Sequence, residues 1–293
     1  MSMTHPAWVP GSVAVITGGA AGIGLAAAKR FAAAGVRVCI ADIGAGRLDK
    51  ALREIAEVTG SGADRVLGME TDVSKPEDLA RLHQCVRNRW GRVDVLMNNA
   101  GIQPGSSLFD QQGTWDRVLA VNLGGAVLGT REFVPAMLAA GAPGLVINTG
   151  SKQGITTPPG DPAYNVAKAG LKVFTEALQH ELRNTPGCQI TAHLLIPGFV
   201  FTELTAQGRS EKPPAAWTPE QTVDFMLERL TAGDFYILCP DNDVHRGLDE
   251  RRILWAAADL VENRPPLSRW HPDYAPAFTQ FAQFAPSGLI TNP

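Results

Sequence analysis

The sequence has no stretch approaching the roughly 18 consecutive apolar residues that a membrane helix needs. Its first ten residues, Met1 to Pro10, lack the basic segment followed by an apolar one that directs secretion. A cytoplasmic protein with no membrane partner is the resulting expectation. Cysteine is scarce and scattered: Cys39, Cys85, Cys188 and Cys239 form no CxxC pair and have no histidine pair nearby. That pattern gives neither a zinc site nor a disulfide framework, so no metal is expected and the thiols read as buried ones in a reducing compartment. An excess of one charge is missing too, because 29 acidic and 26 basic residues are spread along the chain to leave −3. Without the basic stripe that a phosphate backbone requires, nucleic acid is not an expected partner.

What is there is a chain of 293 residues, 45% of them hydrophobic, ample for one continuous core. Short β-branched stretches recur at Val13–Thr17, Val36–Ala41, Val66–Met69, Val93–Met97, Leu145–Asn148, Ile190–Ile196 and Phe235–Cys239. Between them the apolar residues recur every three or four positions, at Ile23–Ala34, Arg47–Val58, Pro76–Trp90, Thr114–Ala139, Tyr164–Arg183 and Pro219–Leu230. Strands that are apolar throughout, alternating with helices, predict an α/β fold: a doubly wound parallel sheet of about seven strands with helices on both faces. Gly35 reads as the close of the first helix, and Thr218-Pro219-Glu220-Gln221 as a capping box with proline at the first helical position. No charge run, repeat or low-complexity linker divides residues 11 to 240, so residues 1–240 read as one domain. Residues 241–293 have a different texture, with a polar amphipathic helix around Leu248–Asn263, then Arg264-Pro265-Pro266 and an aromatic tail containing Trp270, Tyr274, Phe278, Phe281 and Phe284. The tail reads as a lid or a subunit contact.

The first strand runs directly into Gly18-Gly19-Ala20-Ala21-Gly22-Ile23-Gly24 and then into a helix. Glycines in that context let the backbone approach a pyrophosphate, while the helix start offers free N–H groups and a positive dipole end. This is the phosphate turn of a Rossmann dinucleotide site. About twenty residues on, Asp42 ends the second strand, where a carboxylate accepts from ribose hydroxyls and repels a 2′-phosphate. NAD is therefore the expected cofactor, with Arg47 close by leaving some use of NADP open. Asp72-Val73 after the third strand is placed to meet adenine, although a solvent-facing turn aspartate fits that position nearly as well.

Tyr164 and Lys168 are four apart in a helical pattern and share a face. An ammonium beside a phenol favours the phenolate and draws the tyrosine down from its usual value of about 10, which makes Tyr164 a candidate general acid/base. Thirteen residues upstream, Thr149-Gly150-Ser151 closes the fifth strand and places the Ser151 hydroxyl at the carboxyl edge of the sheet. Asn98-Asn99-Ala100-Gly101 closes the fourth strand at the same edge, and Asn122 in the following helix is positioned to hold a water linking Lys168 to solvent.

The order Thr17-Gly18-xxx-Gly22-Ile23-Gly24, Asp72, Asn98-Asn99-Ala100-Gly101, Asn122, Ser151, Tyr164-xxx-Lys168 and Pro197-Gly198 resembles the short-chain dehydrogenase/reductase family over residues 11 to 205. The resemblance implies that Lys168 also binds the nicotinamide ribose and that Asn99 lines the cofactor cleft. It further implies that the turn from Pro197-Gly198 through Val200 to Thr202 contacts the cofactor, with Thr202 at the carboxamide. Helices around Thr114–Ala139 and Tyr164–Arg183 are implied to pair between subunits, giving a homodimer or homotetramer. The implied reaction moves a hydride between an alcohol carbon and nicotinamide, with Tyr164 handling the proton and Ser151 steadying the oxygen. The sequence departs from the family where Phe235–Cys239 leads into Pro240-Asp241-Asn242 instead of a Val-Asp-Gly-Gly closure. The long extension resembles that of a bacterial subset acting on bulky or aromatic substrates, including lignin-derived aryl ether alcohols. Phe199, Phe201, Trp217 and the Gln153–Pro162 loop read as an apolar mouth, hence a small-molecule substrate that is uncharged and fairly hydrophobic. Two other readings stay open at this point: an NAD-dependent epimerase or dehydratase on the same fold, and a non-catalytic NAD-binding interaction protein.

Overall fold

A computed structural model of the chain describes residues 5–59, 64–110, 113–206 and 208–283. In chain order the elements are β1 (Val13–Thr17), α1 (Gly22–Ala33), β2 (Arg37–Asp42), α2 (Ala45–Thr59), β3 (Val66–Glu70), α3 (Pro76–Trp90) and β4 (Val95–Asn98). They continue with α4 (Thr114–Leu119), a π-helical turn (Ala120–Gly124), α5 (Gly125–Ala140), β5 (Gly144–Thr149), α6 (Gln153–Thr156), α7 (Pro162–Asn184) and β6 (Ile190–Ile196). The chain closes with α8 (Glu203–Ala206), α9 (Pro219–Thr231), β7 (Tyr236–Leu238), α10 (Arg246–Val261) and α11 (Ala275–Gln283). The seven strands form one sheet in the order β3-β2-β1-β4-β5-β6-β7, and every pairing is parallel.

Alternation along the strands builds two cores. Ala14 and Ile16 of β1 face one side with Phe31 of α1, Ile55 of α2 and Met226 of α9, whereas Val13 and Val15 face the other with Leu82 of α3, Phe133 of α5 and Leu182 of α7. Both sides of β1 are therefore buried, which is why its sequence shows no polar alternation. Truncating Phe31 or Phe133, each fully buried, costs about 3–5 kcal/mol by loss of transfer energy and cavity formation. At the end of the fold the capping box forms as its sequence predicts. Thr218 Oγ1 accepts from Gln221 N at 3.2 Å and Gln221 Oε1 accepts from Thr218 N at 2.9 Å.

The winding reverses between β1 and β4, the point where an open parallel sheet leaves a crevice at its carboxyl edge. Register brings the strand ends level there: Thr17 lies opposite Ala41, Asn98 opposite Asn148 and Thr149 opposite Leu195.

Several boundaries differ from the sequence reading. The segment Thr114–Ala139, expected as one helix, is interrupted by the π turn at Ala120–Gly124, a one-residue insertion that apolar periodicity cannot register. The late helix starts at Arg246, two residues before its expected start, because His245 Nδ1 accepts from Leu248 N at 3.3 Å and caps it. The tail then folds back on α10. Trp255 donates to Ser268 Oγ at 2.8 Å and lies 5.4 Å from the rings of both Phe278 and Phe281. Phe284 lies outside the described residues. No described helix is long and apolar enough to cross a membrane.

Candidate active site

A cleft of about 1120 Å³ opens at the carboxyl edge over β1, β4 and β5. Every residue expected at the cofactor lines it except Gly24, and Ser151 lines it as well. At its base the chain leaves β1 through Gly18 (φ +62°) and enters α1 at Gly22 (φ +52°), both in the left-handed region that favours glycine. A side chain at Gly18 would lie 2.7 Å from Ala100 Cα, and one at Gly24 would lie 2.1 Å from Gly18 O. The turn is thus packed too tightly for any other residue. The first turn of α1 has no side-chain cap and no acidic residue, so its N–H groups face the cleft as an uncompensated positive end. These features fit the pyrophosphate of a dinucleotide.

Asp42 ends β2 nearly buried, with Oδ2 accepting from Ala20 N at 2.9 Å and Oδ1 from Ile43 N at 2.8 Å. Those amides fix the carboxylate at the cleft wall. Arg47 lines the same wall but is engaged with Glu203 at 3.5 Å. Asp72 also lines the cleft, although its Oδ1 accepts from both the amide and the hydroxyl of Ser74, which holds its carboxyl below the usual range with help from Lys75.

Hydrogen bonds tie the strand ends into one unit. The Thr17 hydroxyl accepts from Asn99 N at 3.0 Å and Ala100 N at 3.2 Å, while Asn99 Nδ2 donates to Gly18 O at 3.1 Å. Beneath them runs a buried relay the sequence reading missed: Asn98 Nδ2 donates to Asn148 Oδ1 at 2.9 Å, and Asn148 Nδ2 donates to Thr175 Oγ1 at 3.0 Å. An asparagine near the carboxyl end of each of two otherwise apolar strands, β4 and β5, is its one sequence signal. Asn122, in the π turn, accepts from Ile102 N at 2.7 Å and donates to Ile102 O at 2.8 Å. Its amide clamps both backbone groups of Ile102, in the middle of the Gly101–Gln103 turn.

The helical pitch of α7 brings Tyr164 and Lys168 into the cleft together, with Lys168 Nζ 5.6 Å from the Tyr164 ring centre. Ser151 lines the cleft beside the Tyr164 hydroxyl, where it acts to lower the tyrosine pKa. Lys168 Nζ donates to Thr149 O at 2.7 Å. Burial dominates the titration of both groups. It pushes Tyr164 up to about 12 against the opposing effect of Ser151, and pulls Lys168 down to about 8. The lowered phenol expected from a neighbouring ammonium is therefore not what the folded chain shows, since withdrawal from water costs the phenolate more than its neighbours return.

At the far end of the cleft Gln103 Nε2 donates to Gln153 Oε1 at 3.3 Å, beside Ile102, Lys152 and Phe199. Of the three aromatics expected at the mouth only Phe199 lines the cleft. Trp217 instead packs into the core against Phe225 at 5.8 Å. Among the described residues, none beyond Thr205 lines the cleft.

Comparison with known proteins agrees with this geometry. The family model for short chain dehydrogenase matches residues 12–213. The chain is 35% identical over 192 residues to D-beta-hydroxybutyrate dehydrogenase of Rhizobium meliloti, covering 65% of this chain and 72% of that protein. It is 31% identical over 264 residues to 1-deoxy-11-beta-hydroxypentalenate dehydrogenase of Streptomyces exfoliatus, covering 88% of this chain and 93% of that one. Among solved structures, a short chain dehydrogenase/reductase from Burkholderia phymatum in complex with NAD superposes with a TM-score of 0.78 at 28% identity, covering 88% of this chain and 97% of that one.

Proposed function

The chain belongs to the short-chain dehydrogenase/reductase family, and on that footing we propose that it transfers hydride between NAD(H) and an uncharged, fairly hydrophobic secondary alcohol or ketone. The observation that carries the proposal is the convergence of Ser151, Tyr164 and the buried Lys168 in the cleft floored by the glycine turn. What a bound nicotinamide supplies is the hydride acceptor or donor. In reduction, Tyr164, a neutral phenol at working pH, donates its proton to the carbonyl oxygen as hydride arrives at carbon, and Ser151 holds that oxygen. In oxidation Tyr164 acts from its phenolate form, taking the hydroxyl proton while Ser151 holds the forming carbonyl oxygen. Lys168 steadies the phenolate between turnovers and binds the nicotinamide ribose, while Asn122 fixes the turn carrying Gly101. Pro197, Gly198, Val200 and Thr202 form the opposite wall, at the carboxamide.

Asp42 and the NAD-bound structural relative support NAD over NADP. The names of the hydroxybutyrate and hydroxypentalenate dehydrogenases support an alcohol/ketone pair over an epimerase or dehydratase. A neutral substrate is supported by Lys152, the cation next to Ser151, which is already matched by Asp241 and Asp249. Val166 and Val173, exposed on α7, support pairing with a second copy. The test is a panel of secondary alcohols and ketones, including 1-phenylethanol and acetophenone, followed at the NADH absorbance with NAD(H) and NADP(H) in parallel. Turnover of bulky neutral members with NAD(H) is expected. Binding of NADH with no turnover of any member would point instead to a non-catalytic cofactor-binding protein.

A further inference from the structure

Lys152 follows Ser151 directly and lines the same cleft, yet its ammonium is engaged in a buried cluster that the hydride chemistry does not use. Its Nζ lies 2.6 Å from Asp249 Oδ2 and 3.4 Å from Asp241 Oδ2, and all three side chains are largely withdrawn from solvent. Asp249 belongs to α10, in the C-terminal extension. Asp241 Oδ2 also accepts from Phe199 N at 3.1 Å, and its Oδ1 accepts from Val244 N at 2.8 Å. The Lys152 backbone N–H donates to Pro197 O at 3.3 Å. A side chain at Gly198 would lie 2.5 Å from Asp241 Oδ2 and 2.9 Å from Lys152 Nζ, so the ion pair rests directly on that glycine.

Three separate segments thus meet on one ammonium: the β5 end carrying Ser151, the Pro197–Phe199 turn that walls the cleft, and the extension. We propose that Lys152 is a positioning residue, and that the extension acts on the reaction through Asp249 by holding Ser151 and the Gly198 turn in register with Tyr164. The inference rests on the catalytic roles given above to Ser151 and Tyr164. Lys152 faces two carboxylates, with Arg252 also acting on Asp249, so its charge is already matched and none is left for a substrate carboxylate. Breaking the cluster leaves Ser151 on its strand but releases the backbone on either side of it, and sub-ångström misplacement of a reacting group lowers turnover without removing cofactor affinity.

The test compares Lys152→Met, Lys152→Arg, Asp249→Asn and Tyr164→Phe in the full chain. Turnover is read on the fastest alcohol of the panel, NADH affinity by fluorescence, and amide hydrogen exchange segment by segment without cofactor. Lys152→Met and Asp249→Asn are expected to lose about tenfold to a hundredfold in kcat. NADH affinity should stay within about threefold of wild type, exchange should quicken at residues 150–154 and 198–200 and not in β1 or β4, and Lys152→Arg should recover most of the rate. Wild-type kcat and exchange in both charge-removing variants overturn the inference. So does a rate loss that only follows the fraction of NADH-titratable protein, or insolubility of both, since each reports a role in folding alone. If Tyr164→Phe turns over normally, the underlying catalytic reading fails and this inference falls with it. If Tyr164→Phe is inactive while the other variants behave as wild type, this inference alone fails.

Discussion

Lys168 is the group on which burial and function pull most clearly apart. The residue is 4% exposed, and withdrawal from water alone lowers its pKa from 10.5 to about 8. In the unfolded chain the lysine holds its proton up to 10.5, so the unfolded state binds protons more tightly throughout the window between those values. Burying the charge is therefore a full penalty below pH 8, and stability is regained as pH rises toward 10.5. A difference of 10.5 − 8 = 2.5, at 1.36 kcal/mol each, makes the penalty about 3 kcal/mol at neutral pH. By pH 10 it has shrunk to less than about 1 kcal/mol. Lys168→Met carries no such penalty. The variant also loses the bond to Thr149 O, a cost that to first order does not change with pH. Urea unfolding of cofactor-free wild type and Lys168→Met at pH 7, 8, 9 and 10 isolates the titration. The stability difference should move against the variant by about 2–3 kcal/mol from pH 7 to pH 10, while the variant's turnover is lost at every pH. A difference that stays level across those four values would show that water reaches the ammonium and would refute the reasoning.

Three further outcomes follow from the same geometry. Gly24→Ala puts a methyl 2.1 Å from Gly18 O, so the turn must shift; NADH affinity by fluorescence titration should fall at least about tenfold, near 1.4 kcal/mol, and an unchanged affinity would contradict the tight turn. Asp42→Ala frees the amides of Ala20 and Ile43 and removes the charge that repels a 2′-phosphate; the ratio of kcat/KM for NADP over NAD should rise about tenfold or more, and a constant ratio would show that Asp42 does not select the cofactor. Ser151→Ala removes the hydroxyl that opposes the upward shift of Tyr164; the pH midpoint for alcohol oxidation should move higher while kcat falls about a hundredfold, and a midpoint that holds or drops would separate the two side chains.

Local chemistry was legible in the sequence wherever neighbouring residues decide the structure. Val13–Thr17 running into Gly18 and Gly22 specified the strand, the turn and the helix start together, and Thr218-Pro219-Glu220-Gln221 specified its own cap. Tyr164 and Lys168 followed from helical pitch, and Ser151 from its place at a strand end. Features set by distant packing were not legible. Lys152 and Asp249 are 97 positions apart in sequence but form an ion pair, and no spacing rule connects them. Trp217 read as part of a pocket mouth, but its packing on Phe225 places it against the core. The π turn holding Asn122 is invisible to a count of apolar positions. The direction of the Tyr164 shift was misread because charge proximity is written in the sequence while depth of burial is not.

The proton carried by Tyr164 is the centre of the proposed chemistry. Tyr164→Phe removes one oxygen from a nearly buried side chain and leaves the glycine turn and Asp42 untouched, so kcat on the fastest alcohol and the NADH dissociation constant can be read on the same preparation. The prediction is a fall in kcat of about a thousandfold or more with NADH affinity essentially that of wild type. Turnover at the wild-type rate with the phenol gone would contradict it.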